Sequence, residues 1–215
     1  DMVADNGLHF YDRETWEPIK FVQVPYPGVN HLDFSADGSY LMVSTESAGH
    51  VVKIDTNTLE ILGTVDVGGS PLDVRIAPEG DIFYVANQLT HGVDMINGDT
   101  LEYVGFIPTG QGAHAFGWSR DVSKLFVTNR MEGTLTVIDT KTRSVVDTWN
   151  IGGSPDMVTT SPDGSQLYVS MPRSPFGEGG IWAGTYFGGI NFLAYPYYPF
   201  KKCCNGFHWV TCSQS

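Results

Sequence analysis

Four continuously apolar, β-prone runs punctuate the chain: Leu41-Met42-Val43, Phe83-Tyr84-Val85, Leu125-Phe126-Val127 and Leu167-Tyr168-Val169. Such a run is the pattern of a strand covered on both faces. A turn precedes each of them: Ser35-Ala36-Asp37-Gly38, Ala77-Pro78-Glu79-Gly80, Ser119-Arg120-Asp121-Val122 and Ser161-Pro162-Asp163-Gly164. Asp and Ser side chains there can bond nearby backbone N–H groups, and Gly supplies positive φ. Alternating segments follow the first three runs: Val52-Lys53-Ile54-Asp55, Asp94-Met95-Ile96-Asn97 and Thr136-Val137-Ile138-Asp139. After a further turn, as in Asp139-Thr140-Lys141-Thr142, residues 62–67, 104–108 and 146–151 read as another strand each.

The turns begin at 35, 77, 119 and 161, a constant step of 42 residues, and the strands keep the same register. Four short strands at a period near 40 are the signature of a propeller blade. One such sheet cannot cover its own two apolar faces, so neighbouring blades must do it. The predicted fold is all-β: a partial β-propeller of four-stranded blades, with three complete 42-residue blades and part-blades at both ends. Residues 1–24 match the later half of a unit and residues 153–170 the first half. A composite blade shared between them would close the ring.

The strings Leu125-Phe126-Val127-Thr128-Asn129 and Phe83-Tyr84-Val85-Ala86-Asn87 resemble the YVTN repeat. So do Ser161-Pro162-Asp163-Gly164-Ser165 and Val137-Ile138-Asp139-Thr140. The resemblance is to the YVTN-type β-propeller family of archaeal surface-layer and bacterial extracytoplasmic proteins, and it covers about residues 3–170. It implies a propeller fold, usually seven-bladed, and a secreted, periplasmic or cell-surface location. Related propellers occur in the haem domain of cytochrome-type nitrite reductases and in lactonases. The motif itself consists of strand and turn residues and carries no chemistry.

Composition divides the chain of 215 residues at about Ser170. Residues 1–170 read as propeller blades, and residues 171–215 as an atypical tail, either extra strands or a non-native end. Before Met171 lie 23 of the 24 acids and 9 of the 12 bases, a net of −14. The tail holds 11 aromatics and all three cysteines, Cys203, Cys204 and Cys212. With His208 between them these cysteines match no standard zinc spacing. The stretch from Gly179 to Phe200 has no charge, but its Gly, Asn and Pro content makes a poor membrane helix. An overall charge of −12 argues against nucleic-acid partners, which need a basic face, and disfavours anionic membrane surfaces.

Candidate chemistry lies in the loops leading into the first strand of each unit. These are Pro27-Gly28-Val29-Asn30-His31, Gly69-Ser70-Pro71-Leu72-Asp73, Gly110-Gln111-Gly112-Ala113-His114 and Gly153-Ser154-Pro155-Asp156. The candidate ligand-binding residues are Asn30, His31, Asp73, His114 and Asp156, with Arg130 on the neighbouring loop class. Two imidazoles and two carboxylates at a channel mouth can hold a divalent metal or water, or act as acid and base. They serve equally as hydrogen-bonding caps. His31 and His114 differ by one repeat position, so simple alternation sends them to opposite faces. Asn87 and Asn129 read as turn residues tolerating left-handed backbone. His50 and His91 read as surface residues, and Trp118 and Trp149 as packing between blades. Phosphate-loop, nucleophile-elbow and haem-attachment motifs are absent from the sequence.

These features predict a binding scaffold with a protein, polysaccharide or small-molecule ligand. No catalytic residue is assigned. No cofactor is expected, a divalent metal being the one candidate. The alternative is an enzyme, a metal-assisted hydrolase or lactonase or a redox-associated propeller, using the His/Asp ring.

Overall fold

The computed structural model describes residues 6–172 and the strand Gly180–Thr185. Every regular element among the described residues is a β-strand. A hairpin of β1 (Gly7–Tyr11) and β2 (Pro18–Gln23) comes first. Three four-stranded antiparallel sheets follow in strict chain order. The first contains β3 (Val29–Phe34), β4 (Tyr40–Thr45), β5 (His50–Asp55) and β6 (Ile61–Asp66). The second contains β7 (Pro71–Ile76), β8 (Ile82–Asn87), β9 (Gly92–Asn97) and β10 (Tyr103–Pro108). The third contains β11 (Ala113–Trp118), β12 (Lys124–Asn129), β13 (Thr134–Asp139) and β14 (Ser144–Asn150). The last described sheet is three-stranded: β15 (Val158–Thr160), β16 (Gln166–Met171) and β17 (Gly180–Thr185).

Side chains of the second strands alternate between the two neighbouring blades. Phe83 and Val85 of β8 pack back onto Tyr40, Met42 and Val51 of the first blade. Ile82, Tyr84 and Ala86 of the same strand pack forward onto Phe116, Leu125 and Val127 of the third. Phe126 points forward again, to Val158, Leu167 and Val169. Leu41 and Val43 point back, to Val22 and Val24. Each of the four apolar cores is therefore an interface between successive sheets, as thin sheets that cannot bury themselves require. Trp118 joins the interface between the second and third blades and Trp149 that between the third blade and the last sheet, the packing role expected of both.

The Ser-x-Asp-Gly turn works as its chemistry predicts. The Asp37 carboxylate accepts from Ser39 N at 3.0 Å and from the Ser35 and Ser39 hydroxyls at 2.8 and 2.7 Å. Those bonds hold its pKa down at about 2. Gly38, Gly80 and Gly164 take positive φ, and Val122 takes the same left-handed conformation at φ 52°. A β-branched residue there is strained.

The ends differ from expectation. Within the described residues β1 pairs only with β2, while β16 pairs along its length with Gly180–Thr185. The third-strand position beside β16 is thus filled by the chain that follows it, so the N-terminal hairpin is not shared with this sheet. No helix among the described residues is long and apolar enough to cross a membrane. The rest of the uncharged stretch, the three cysteines and His208 lie outside the described residues.

Candidate functional site

The first strands stand side by side around the axis, β3 against β7, β7 against β11 and β11 against β15. β3, β7 and β11 each carry a β-bulge near the start. Val29 pairs with Thr45 and Leu32 with Val43, so three steps on β3 match two on β4. The shift recurs between Pro71 and Val74 and between Ala113 and Phe116. A bulge sets two residues against one and leaves a backbone group without its ladder partner. The bulged pairs are Asn30-His31, Leu72-Asp73 and His114-Ala115. Alternation is suspended there, so a difference of one repeat position does not by itself send His31 and His114 to opposite faces.

Hydroxyls on the second strands fill these bulges. Ser44 Oγ donates to the carbonyl of His31 at 3.2 Å and to that of Leu72, in the next blade, at 2.5 Å. Thr128 Oγ1 accepts from Ala115 N at 3.0 Å and donates to the Asp156 carbonyl at 2.7 Å. Ser170 Oγ accepts from Met157 N at 3.0 Å. Ala86 occupies the equivalent position in the second blade.

Two His–Asp pairs result, each bridging blades. In the first, Asp73 Oδ2 accepts from Phe116 N at 2.9 Å. Asp73 Oδ1 lies 3.5 Å from Arg75 Nη1 and 3.8 Å from His31 Nδ1. The Asp73 side chain is 0% exposed, His31 37% and Arg75 30%. Burial pushes the Asp73 carboxyl pKa up, against the pull of Arg75, the Phe116 N–H and His31. Asp33 makes the same stitch one blade earlier, accepting from Ile76 N at 2.9 Å.

In the second pair, Arg130 Nη1 donates to His114 Nε2 at 3.0 Å, which makes that nitrogen the acceptor of a neutral imidazole. Asp156 Oδ1 lies 3.3 Å from His114 Nε2 and 3.5 Å from Arg130 Nη1. His114 is 12% exposed and Asp156 26%. Burial pushes the His114 pKa down; Asp156 opposes this, while Arg130 adds to it. Buried Asp73 Oδ1 and His114 Nδ1 have no hydrogen-bond partner among the described residues. Such atoms call for an explanation, since buried polar groups are nearly always paired.

Of the six predicted residues the structure therefore joins His31 with Asp73, and His114 with Asp156 and Arg130. Asn30 stands apart, its Nδ2 donating to Glu46 Oε2 at 3.0 Å. Arg75, absent from the prediction, sits two residues from Asp73 on one strand, and alternation alone signals that they share a face. Among the described residues no group of three or more His, Cys, Asp or Glu is placed to hold a metal.

Asn87 and Asn129 are not left-handed turn residues; neither has positive φ. Asn87 is buried, accepts from Ser70 N at 2.8 Å, and donates to Gly68 O at 3.1 Å and Asp94 Oδ2 at 2.8 Å. Asn129 donates to the hydroxyls of Thr134 and Thr136 at 2.9 and 2.8 Å. These side chains brace the loop face under the mouth. His91 is more than a surface residue, since its Nδ1 accepts from Gly112 N of the next blade at 3.1 Å. His50 stacks on Tyr26 with ring centroids 3.9 Å apart.

Radial sheets meeting at first strands, with apolar cores between them, define a β-propeller. A family model for YNCE-like β-propellers matches residues 92–174. Over 122 residues the chain is 30% identical to the seven-bladed beta-propeller protein Rv1057 of Mycobacterium tuberculosis (strain ATCC 25618 / H37Rv), covering 52% of this chain and 29% of that protein. These matches support the resemblance of the 42-residue repeat to the YVTN-type β-propellers. Among solved structures, Kuenenia stuttgartiensis hydrazine synthase superposes with a TM-score of 0.67 at 25% identity, covering 82% of this chain and 49% of that one. Dihydro-heme d1 dehydrogenase NirN, in complex with DHE, superposes at 0.73 with 19% identity, covering 91% and 42%. The chain therefore spans less than a third of the curated relative and about half or less of these structures.

Proposed function

We propose that this propeller is a binding scaffold outside the cytoplasm that takes its ligand on the loop face, at the channel mouth lined by His31, Asp73, Arg75, His114, Arg130 and Asp156. The observation that carries this reading is the pair of inter-blade His–Asp–Arg clusters at the starts of the first strands, with Asp73 Oδ1 and His114 Nδ1 lacking hydrogen-bond partners among the described residues. Bulges re-aim side chains, and rigid sheets position loops for recognition. The location follows the surface-layer and extracytoplasmic proteins that the repeat resembles.

A scaffold fits better than a metal-assisted hydrolase. Each carboxylate of the ring already faces a guanidinium at 3.5 Å, which occupies the place of a cation. Only two potential ligands meet in each cluster, and a catalytic zinc takes three from the protein. The test is a melting-temperature screen of oligosaccharides, peptides and organic acids against wild type and His114→Ala. A ligand that raises the melting temperature of wild type and not of the variant supports the reading. Hits indifferent to every mouth substitution, or ester or lactone hydrolysis lost in His114→Ala, overturn it.

A further inference from the structure

The mouth is lopsided. The same two repeat positions hold Asn30 with Glu46 in the first blade, Leu72 and Gln88 in the second, and His114 with Arg130 in the third. The rim thus runs from an acid through a neutral amide to a guanidinium. Around Arg130 and Arg75 the carboxylates sit behind the donors. Asp73 is fully buried below the partly exposed Arg75 and His31, and Asp156 is less exposed than Arg130. Carboxylates placed in this way orient guanidiniums and leave N–H groups as the surface that an incoming molecule meets.

Charge then narrows the ligand. The two guanidiniums are matched by Asp73 and Asp156, and the chain as a whole carries −12. A phosphate, with a charge of about −1.5 to −2, is repelled by these acids more strongly than a singly charged carboxylate is. A carboxylate carries one charge and fits one planar fork through two parallel bonds. A second carboxylate on the same molecule adds charge to a rim that already carries Glu46. Resting on the binding reading above, we infer that the channel mouth recognises a small monocarboxylate through the Arg130 guanidinium, and that Glu46 selects against diacids.

The test is titration of the full chain with acetate, lactate and glucuronate, each beside its neutral amide, and with succinate and phosphate, at constant ionic strength set by NaCl. Binding is read by calorimetry and melting temperature. At least one monocarboxylate is expected to bind tenfold or more tighter than its amide and than phosphate. Arg130→Gln should weaken it at least tenfold, Arg130→Lys less so, and Lys141→Gln, in the turn before β14, not at all. Glu46→Gln should admit succinate. Circular dichroism of each variant separates loss of a contact from loss of fold. An amide or phosphate that binds as well as the acid overturns the inference, as does an unchanged affinity in a folded Arg130→Gln. If only neutral sugars or peptides bind, and His114→Ala abolishes it, this inference falls while the scaffold reading stands. If nothing in either class responds, both fall.

Discussion

The two His–Asp pairs at the channel mouth use the same residue types at the same 42-residue separation, yet they are buried in opposite senses. Asp73 is sealed beneath a half-open His31, whereas His114 is the more enclosed member of its pair with Asp156. The cause is position within the bulge. His31 and Asp73 hold its second place, from which Asp73 reaches the Phe116 N–H of the next blade. His114 holds the first place, and Asp156 the matching repeat position ahead of β15, beside the loop that supplies Arg130. Repetition sets the spacing of the two clusters, and a single step inside the bulge decides which partner loses its water. One fold therefore raises an acid's pKa and lowers an imidazole's a strand apart.

The largest expected consequence is in stability. Asp73→Ala removes the acceptor of a buried backbone N–H and leaves that donor unpaired, at a cost of about 2–3 kcal/mol. Asp156→Ala breaks a partly hydrated cluster and costs about 1 kcal/mol or less. Urea unfolding of both variants measures the difference. Equal losses would remove the distinction between the two pairs.

The pH dependence carries the same contrast with opposite signs. His114 has a folded pKa below its ordinary 6.5, so the unfolded chain binds that proton first. Its contribution to stability is complete above about pH 6.5 and is lost as pH falls through that value toward the folded one. Asp73 has a folded pKa above 3.8, so the folded chain binds that proton first. Its contribution is present below 3.8 and is lost as pH rises through the folded value. Between pH 7.5 and 5.5, His114→Asn should therefore lose less stability than wild type does. Above pH 3.8, Asp73→Asn should lose less on raising the pH. Denaturant midpoints across both ranges check the two signs, and a variant that tracks wild type refutes the assignment for its pair.

How far the sequence foretold this arrangement depends on which physics each feature obeys. The blades were legible because apolar runs such as Leu125-Phe126-Val127 and the Asp-centred turns obey local rules that repeat every 42 residues. His31, Asp73, His114 and Asp156 were legible as loop-to-strand residues at one end of each unit. The faces of the two histidines were not. A bulge belongs to the pairing of two strands, and period-2 alternation along β3 or β11 alone cannot reveal it. Asn87 escaped for a related reason. Its partners Ser70, Gly68 and Asp94 come from two other segments, the loop before β7 and strand β9, so composition suggested only a turn former. The tail's strand beside β16 was legible only as one of two alternatives, because 171–185 carries neither the Ile-Asp ending nor the closing turn of the earlier units.

The smallest effect tests the bulge itself. Ser44, Thr128 and Ser170 place a hydroxyl opposite it, and the Ser44 hydroxyl serves carbonyls in its own blade and the next. Ala86 alone of the four described second strands places none there, and it stands behind Asp73. Translated by one repeat, a hydroxyl at this position meets the carbonyls of Asp73 and His114. A net hydrogen bond is worth about 1 kcal/mol, and the added oxygen is small enough for the buried site only if those carbonyls lie where the repeat places them. Ala86→Ser should thus stabilise the chain by up to about 1 kcal/mol, while Thr128→Val, which strips a partner from Ala115 N and Asp156 O, should cost about as much. A destabilised Ala86→Ser would mean that the bulge holding Asp73 differs in shape from its neighbours, and that the opposite burial of the two pairs arises from the bulge as well as from the place each residue takes within it.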